Sequence, residues 1–362
     1  MKTRSKWVFG GILLVIVVVV CWLGQNTTPQ LVDIAGDKNV LMPFHVYFWT
    51  EKDGMSQSVL LEKGETKRIL YPQPDDPFGV YLGKWKNKQI YADVSNIMTE
   101  QNDKNMVLQY GVVQQKRFSR TYYPIFVETQ LQPLSDTIDN LFLEYGNMVL
   151  LQDRLYLATA IHHTCKGVGG IYAIDMESLR ADNQAKAEQL VAVDIDAENQ
   201  ILGMTNVDNN LLLFRKSGTN MIVELYSTDA VLRHSITIEV REEIDKITTK
   251  QARWENGTGI AVYCRDVICN REENGNIGGY MERIQNIGLW VTDDEITVPF
   301  PKIAENIQIY MPYENQLLIW KQENNLEVWQ SGQTTPCYKG ILQTEKSETN
   351  YILDAQIKGD LA

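Results

Sequence analysis

Short apolar runs separated by polar turn clusters make up most of the chain after residue 30. Runs such as FHVYFW, RLYLATA, NLLLF and LEVWQ are rich in the β-branched and aromatic residues that favour strands. The clusters between them, such as KDG, KSGTN and ENGTG, contain the Gly, Asn and Asp that supply positive φ at hairpin turns. Helical character is restricted to residues 176–190, which are rich in Ala, Glu and Gln. Strands at this density without intervening helices predict an all-β fold, either a sandwich or a propeller.

A pair of strands that recurs from Asp153 onward distinguishes between these two folds. DRLYLATA, NNLLLFRK, GTGIAVYC and ENQLLIWK begin at Asp153, Asn209, Gly257 and Glu314, at spacings of 56, 48 and 57 residues. Each is followed by another apolar strand, namely GGIYAID, MIVELYS, IGLWVTD or NLEVWQS. The runs are continuous rather than alternating, as expected for sheets that are covered on both faces. This period predicts a propeller, and residues 31–362 accommodate six or seven blades. LVDIAG near residue 31 or NYILDAQI near the C-terminus is expected to supply the strand that closes the ring.

The N-terminus carries an uncharged apolar run, WVFGGILLVIVVVVCWL, at residues 7–23. As a helix this run is about 25 Å long, at the short end of a membrane span. Lys2, Arg4 and Lys6 precede it, and the next basic residue is Lys38. The positive-inside rule therefore predicts a cytoplasmic tail (1–6), a transmembrane signal anchor (7–23), a polar linker (24–30) and a body outside the cytoplasm (31–362). The predicted location is the cell membrane, which the chain crosses once.

Two other fates of this segment stay open. A cleaved signal peptide needs small residues in an A-x-A-like pattern after the apolar core, and none follows here. Cys21 lies at the depth used for bacterial lipid attachment, although Val20 replaces the small residue expected before such a cysteine. We therefore predict an uncleaved anchor, with cleavage or lipidation as the alternatives.

The composition argues against one class of partner. The 362 residues are 44% hydrophobic and 22% charged, which is ordinary for a globular protein with a sizeable core. The formal net charge is −12, and no run of Lys and Arg occurs beyond the N-terminus. Because the phosphates of a nucleic acid would be repelled by such a chain, we predict no nucleic-acid partner.

One blade of the predicted propeller resembles a known repeat. DRLYLATA followed by GGIYAIDMES, residues 153–178, is similar to the repeat of quinoprotein-like β-propellers, and the other blades match it loosely. In the complete family motif a Thr-Gly turn and a tryptophan that docks one blade on the next follow the last aspartate. Here Asp175 is followed by MESLRADNQ, and the five cysteines include no adjacent pair of the kind that quinone-binding members use. The resemblance implies the fold, and we predict no cofactor.

Two adjacent histidines precede a glycine-rich stretch in AIHHTCKGVGG. On a strand His162 and His163 point to opposite faces, so only His163 and Cys165 share a side. Zinc needs three or four ligands, and the chain contains no CxxC and only His45 and His234 besides. We therefore interpret CKGVGG as the tip of a hairpin that joins RLYLATA to GGIYAID.

A calcium loop is the one metal site with candidate residues. Asp194, Asp196 and Glu198 alternate as carboxylates do in the first half of such a loop. Asn199 stands where the loop has Gly, and Thr205 stands where it has Glu. We favour a strand that ends in an acidic turn over calcium binding. The acidic clusters at residues 75–76 and 293–295 are interpreted as turns in the same way.

The remaining chemical groups give no catalytic assignment. Cys264 and Cys269 lie near each other in YCRDVICN, where a disulfide across a tight turn and separate buried thiols are both open. Most tryptophans of the body are expected to pack between blades. The chain has no G-x-S-x-G, P-loop or HExxH motif.

Two classes of function stay open. The first is a membrane-anchored, non-enzymatic binding or scaffold module that presents its loops to a protein or a cell-envelope polymer. The second is an enzyme that acts on a glycan or small molecule at the central channel, as a hydrolase, a lyase or a quinoprotein-type dehydrogenase. We predict the module, because no motif identifies catalytic residues.

Overall fold

The structure of the protein is a computed structural model that describes most of the chain. It describes residues 28–52, 55–69, 80–93, 99–102, 105–116, 119–133, 147–159, 165–179, 185–271, 277–303, 307–321, 324–343 and 351–359. The predicted tail and anchor lie outside these residues. Within them, no helix is both long and apolar enough to cross a bilayer.

The described chain is all-β, as predicted, and its strands form six sheets. Strands are numbered in chain order and sheets by their place along the chain. Sheet 1 contains β2 (Phe44–Lys52), β3 (Met55–Glu62), β4 (Glu65–Arg68) and β28 (Tyr351–Gly359). Sheet 2 contains β5 (Val80–Trp85), β6 (Lys88–Asp93), β7 (Thr99–Asn102), β8 (Asn105–Lys116), β9 (Ser119–Thr129) and β14 (Ala185–Lys186). Sheet 3 contains β10 (Gln132–Pro133), β11 (Met148–Leu151), β12 (Arg154–Ala158), β13 (Cys165–Asp175) and β15 (Glu188–Ile195).

The other three sheets come from the second half of the chain and from its N-terminal strand. Sheet 4 contains β16 (Asn199–Val207), β17 (Asn210–Ser217), β18 (Asn220–Ser227) and β19 (Leu232–Glu239). Sheet 5 contains β20 (Lys246–Trp254), β21 (Gly257–Arg271), β22 (Ile277–Val291) and β23 (Ile296–Ile303). Sheet 6 contains β24 (Ile307–Tyr313), β25 (Gln316–Lys321), β26 (Asn325–Gln330), β27 (Tyr338–Gln343) and β1 (Gln30–Gly36).

The repeat predicted from the sequence is the central hairpin of four sheets. The strands β12, β17, β21 and β25 come from the four aligned stretches, and each pairs with the strand that follows it. In each of these sheets, the strand that precedes the hairpin in the chain pairs with the free edge of the hairpin's first strand. The repeat is therefore confirmed as a unit of antiparallel strands that are consecutive in the chain.

Two-residue turns set the register of these units. They join β5 to β6, β11 to β12, β16 to β17, β20 to β21 and β24 to β25, and they read KN, QD, DN, EN and EN. The first turn residue has positive φ in four of them, at Lys86, Gln152, Asp208 and Glu314. Because the turn fixes hairpin register, the apolar run after it starts at the same point in each sheet.

The core lies between sheets, so both faces of an inner strand are apolar. In β17, Leu211 and Leu213 belong to one hydrophobic cluster and Leu212 and Phe214 to another. All four are fully buried, and each burial contributes about 1.5–3 kcal/mol. This packing explains why the predicted strands read as continuous apolar runs.

Three hydrophobic clusters connect the sheets in chain order. One cluster joins sheets 2, 3 and 4, another joins sheets 4 and 5, and a third joins sheets 5, 6 and 1. No such cluster joins sheets 1 and 2 among the described residues. The connection from sheet 1 to sheet 2 runs through residues 70–79, which lie outside them.

Both chain ends pair with strands from the opposite end of the sequence. β1 pairs antiparallel with β27, from Gln30–Gln343 to Gly36–Tyr338. β28 pairs antiparallel with β2, from Phe44–Gly359 to Glu51–Tyr351. The two segments proposed as alternative closing strands are therefore both used, one in sheet 6 and one in sheet 1.

The helix expected at residues 176–190 is wrong. Met176–Ser178 forms one 3-10 turn, capped by the carboxylate of Asp175, and Glu188–Ile195 is strand β15. β15 pairs with β13, and Val193 and Ile195 are buried in the cluster of sheets 2, 3 and 4. Burial of this edge strand overrides the helical preference of Ala, Glu and Gln.

Candidate functional site

The stretch around the two histidines contains a hairpin, but CKGVGG is not its tip. β12 pairs with β13 from Arg154–Asp175 to Ala158–Ile171. Residues 165–170 are the first half of β13, where they pair with β10 and β15. His162 and His163 lie outside the described residues.

Gly170 shows why a glycine-rich sequence is a strand here. Its φ is +145°, and a Cβ at this position would lie 1.7 Å from the carbonyl oxygen of Val191 on β15. Only glycine permits this close approach of two backbones. The glycine that suggested a turn is therefore required by strand packing.

No metal cluster emerges around Cys165. Cys165 is buried, with 1% of its surface exposed, and belongs to the core of sheets 2, 3 and 4. Across the described ranges, no three His, Cys, Asp or Glu side chains are placed together to hold a metal ion.

The calcium candidates lie on an exposed turn between two strands. β15 ends at Ile195, and residues 196–198 lead into β16. The Asp196 carboxylate accepts hydrogen bonds from the backbone N–H groups of Glu198 and Asn199, at 2.8 and 2.7 Å. Hydrogen bonds from Asn199 hold the pKa of Asp196 below its ordinary value. Asp194 lies within β15, opposite Val168. The favoured interpretation, a strand that ends in an acidic turn, describes this geometry.

The two cysteines of YCRDVICN do not flank a turn. Both lie within the 15-residue strand β21, opposite Gln285 and Gly279 of β22. Five positions along a strand separate Cα atoms by about 16 Å, beyond the reach of a disulfide. Cys264 is a free, buried thiol whose pKa burial raises to about 12.

Two tryptophans donate hydrogen bonds to residues outside their own sheets. Trp85 of sheet 2 donates its indole N–H to the Asp153 carboxylate of sheet 3, at 3.0 Å. Trp254 of sheet 5 donates to the Pro43 carbonyl, at 2.9 Å. Both rings are buried, and both residues end the first strand of their sheet. Their role is therefore packing.

A partly buried ion pair, with Glu224 buried and Arg215 a quarter exposed, lies on the face of sheet 4 that packs against sheet 3. Arg215 Nε donates to Glu224 Oε2 at 2.9 Å, and the Tyr226 hydroxyl donates to the same oxygen at 3.0 Å. The bond to Glu224 raises the pKa of Arg215, and burial together with Glu224 raises the pKa of Tyr226. Each polar group is satisfied by another member, so the set stabilises the sheet interface.

The feature that sequence reasoning missed is a row of side chains across sheet 2. Tyr81 lies opposite Tyr91, Tyr91 opposite Val113, and Val113 opposite Tyr122. Directly paired residues share one face of a sheet, so the row crosses four strands, about 14 Å at the usual strand spacing. We call this surface, with the paired residues beside the row, the tyrosine face.

The two ends of the row are open to solvent. Tyr81 is 48% exposed and Tyr122 is 36% exposed, whereas Tyr91 and Val113 are buried. The rings of Tyr81 and Tyr91 are in contact, with centroids 5.2 Å apart. Gly111 makes room for the ring of Tyr122, because a Cβ there would lie 2.2 Å from it. The opposite face of sheet 2 packs on sheet 3 through the core cluster.

Polar and basic residues border the tyrosine face on one side. Gln89 pairs with both Lys84 and Gln115, and Gln115 pairs with Arg120, which gives a second row parallel to the tyrosines. The side-chain amides of the second row offer two donors and two acceptor lone pairs each, and its ends are cationic. The second row therefore places two amides between two basic residues.

The end of sheet 2 beyond the second row is basic. Lys86 and Lys88 flank the turn between β5 and β6, and Lys116 ends β8 at the same end of the sheet. The ammonium groups of Lys86 and Lys88 lie 4.5 and 5.2 Å from the centre of the Trp85 ring. Residues 80–92 and 105–127 contain no Asp or Glu. Register therefore brings three lysines to one end of sheet 2, where Lys86 pairs with Glu177.

Comparison with known proteins identifies no family. No protein-family model and no curated protein matches the chain. Among solved structures, the computationally designed Ika8 protein is 9% identical over 86% of this chain and 90% of its own, with a TM-score of 0.29. BamB from Moraxella catarrhalis is 7% identical over 88% of this chain and 91% of its own, with a TM-score of 0.27. Because these TM-scores are low, we base the functional proposal on the sheet topology and the tyrosine face.

Proposed function

We propose that the protein is a membrane-anchored β-propeller that acts as a non-enzymatic binding module outside the cytoplasm. Six sheets, each built around antiparallel strands that are consecutive in the chain, support a propeller of six blades. The three core clusters that link sheets 2 to 6 and then sheet 1 support a ring. The exchange of terminal strands between sheets 1 and 6 supports a junction between these two sheets.

The location outside the cytoplasm rests on the N-terminal sequence. Lys2, Arg4 and Lys6 precede the apolar run of residues 7–23, which favours a cytoplasmic N-terminus. Reporter fusions at Gly24 and at the C-terminus test this orientation. Activity of a C-terminal reporter only in the cytoplasm would contradict it.

The tyrosine face is the observation that carries a binding function. Tyr81 and Tyr122 expose aromatic rings, and Gln89 and Gln115 lie beside them. Tyrosine is typical of binding surfaces because its ring is apolar and its hydroxyl remains polar. Tyr81 and Tyr122 are the exposed tyrosines among the described residues, and both lie on sheet 2, which supports a binding surface there.

Photocrosslinking in cells tests the binding function. A benzophenone amino acid replaces Tyr122 in one variant and Leu232 of β19, which is 49% exposed on sheet 4, in the control variant. We expect a crosslinked product from position 122 and none from position 232. Equal products from both positions, or none from either, would refute a specific site on sheet 2.

A further inference from the structure

We infer that β1 lies on the surface of the lipid bilayer and contacts it through the side chains of Val32 and Ile34. This inference rests on the proposed membrane-anchored function and specifies which side of the body faces the membrane. Three features of the start of the body support it: a short linker, two exposed aliphatic side chains, and a strand edge that a bulge interrupts.

The linker between the predicted anchor and β1 is short. The apolar run ends at Leu23, and β1 begins at Gln30. Fully extended chain covers at most about 3.6 Å per residue, so β1 begins within about 25 Å of the end of the anchor. The Pro29 carbonyl accepts a hydrogen bond from the Thr66 hydroxyl of β4. Because β1 and β4 are edge strands of sheets 6 and 1, the chain enters the body at the edge of these two sheets.

Two aliphatic side chains of β1 are exposed at this edge. Leu31 is buried in the cluster of sheets 5, 6 and 1, whereas Val32 is 38% exposed and Ile34 is 59% exposed. Val32 pairs with Ile341 of β27, which is half-buried, so the apolar surface continues from the edge onto the sheet. Exposed aliphatic side chains are stabilised at the boundary between lipid headgroups and acyl chains.

The charged residue of β1 is already paired. Asp33 accepts a hydrogen bond from the Tyr338 hydroxyl at 2.6 Å, and its carboxylate lies 3.9 Å from Lys38 Nζ. A carboxylate with two partners loses less on approach to lipid than an unpaired one. The exposed aliphatic side chains of β1 therefore flank no unpaired charge within the strand.

The tether explains how so small an apolar surface suffices. Two side chains would not hold a free protein on a bilayer, since even a single myristoyl chain gives only marginal binding. A linker that keeps β1 within about 25 Å of the membrane makes the contact intramolecular, which raises the effective concentration of the bilayer at β1. The contact then determines the orientation of the body, while the anchor supplies the attachment.

The edge of β1 is poorly suited to pairing with a strand of another chain. A bulge interrupts the register between Asp33 and Ala35, and Gly36 has a φ of +86°. Bulges are one of the features that protect edge strands from the addition of a further strand. Contact through side chains is therefore favoured over contact through the backbone, which favours the bilayer over a second copy of the chain or an extended peptide.

Sheet 4 provides the matched control. In a ring of six blades, sheets 3 and 4 lie opposite sheets 6 and 1, so a bilayer beside β1 is remote from sheet 4. Leu232 belongs to β19, an edge strand of sheet 4, and is 49% exposed. It matches Ile34 in size, exposure and position at a sheet edge.

The experiment measures lipid contact of the full chain in nanodiscs of uncharged phosphatidylcholine. An environment-sensitive fluorescent amino acid replaces Ile34 in one variant and Leu232 in the control. Brominated acyl chains quench a fluorophore only at close contact, so nanodiscs with and without brominated lipid are compared. We expect quenching at position 34 to be several-fold stronger than at position 232, with emission at shorter wavelength.

Two further variants show that the contact depends on the apolar surface of β1. Val32→Asp, in the chain labelled at position 34, should reduce the quenching several-fold, because a new unpaired carboxylate disfavours contact with acyl chains. Val231→Asp adds the same charge beside β19, at a residue that is 62% exposed, and should leave the quenching at position 34 unchanged. Circular dichroism checks that both variants are folded.

The outcomes separate this inference from the proposed function. Equal quenching at positions 34 and 232 in chains that enter nanodiscs would overturn the inference, while the anchor would stand. Emission at short wavelength from position 34 without quenching would show that protein covers β1, and it would overturn the inference as well. Equal loss of quenching in both aspartate variants would do the same. Failure of the chain to enter nanodiscs would reject the membrane anchor and the inference together.

Discussion

Replacing Gly170 by Ala is the sharpest test of the assignment of CKGVGG to a strand. Two costs arise at this position. A φ of +145° is a region that residues other than glycine rarely adopt, which costs about 1–3 kcal/mol. The new Cβ would also lie 1.7 Å from the Val191 oxygen, and accommodating it requires a shift of β15, about 1–3 kcal/mol more. We therefore expect Gly170→Ala to lower the free energy of unfolding by about 2–6 kcal/mol.

Gly218 provides the matched control. It lies in the turn between β17 and β18 with a φ of +57°, and a Cβ there would meet nothing within 4 Å. Gly218→Ala therefore carries only the conformational cost, about 1–2 kcal/mol. Urea unfolding followed by circular dichroism compares the two variants with the unaltered chain. If CKGVGG were a solvent-exposed hairpin tip, the two substitutions would destabilise equally, and that result would refute the strand assignment.

Three further predictions follow from packing and charge. Ile174→Ala should lower the free energy of unfolding by about 2–5 kcal/mol in urea unfolding, because Ile174 is 2% exposed within the core of sheets 2, 3 and 4; tolerance of the change would contradict that placement. Glu224→Gln should lower the free energy of unfolding by about 3 kcal/mol, because it leaves Arg215 without its charged partner. The double variant Glu224→Gln with Arg215→Met should lower it less, and a larger loss in the double variant would contradict this account of the ion pair. Burial raises the pKa of Tyr172 to about 12. The stability that the neutral hydroxyl contributes is therefore present below the unfolded pKa of about 10 and is lost as the pH rises toward 12. Tyr172→Phe should reduce this loss of stability at alkaline pH in thermal unfolding, and an unchanged loss would contradict the prediction.

The architecture could be predicted because it depends on local patterns. Continuous apolar runs such as LLLF of β17 predict strands covered on both faces, and the turns between them repeat in every unit. The closing strands could also be predicted from the sequence, since β1 and β28 are apolar segments near the two ends of the body. Both features are present although the individual sheets are irregular.

The errors arose where one residue type has two uses. Glycine serves turns and close backbone approaches, and Gly170 belongs to the second case. Ala, Glu and Gln favour helices in isolation, but residues 188–195 gain more by pairing with β13. Tertiary contacts determine the structure of these segments, and the local sequence does not reveal those contacts.

The tyrosine face could not be located from the sequence, because register creates it. Tyr81, Tyr91, Val113 and Tyr122 are separated by 10, 22 and 9 residues, intervals that match no motif. Their alignment depends on the pairing of four strands, including an irregularity between Tyr81 and Gly83. The absence of acidic residues from 80–92 and 105–127 was the one signal in the sequence that pointed to this region.

The pairing of β28 with β2 also determines when the protein can finish folding. β28 begins at Tyr351, 299 positions after β2 ends at Lys52, so the ribosome makes the last strand of sheet 1 long after β2. Until then one edge of β2 has no neighbour, and an open strand edge is a template for pairing with other chains. The slow search for so distant a partner adds to this period. A chain that loses its last dozen residues would therefore keep that edge open permanently and be prone to aggregate or to be degraded, even though most of its sheets are intact.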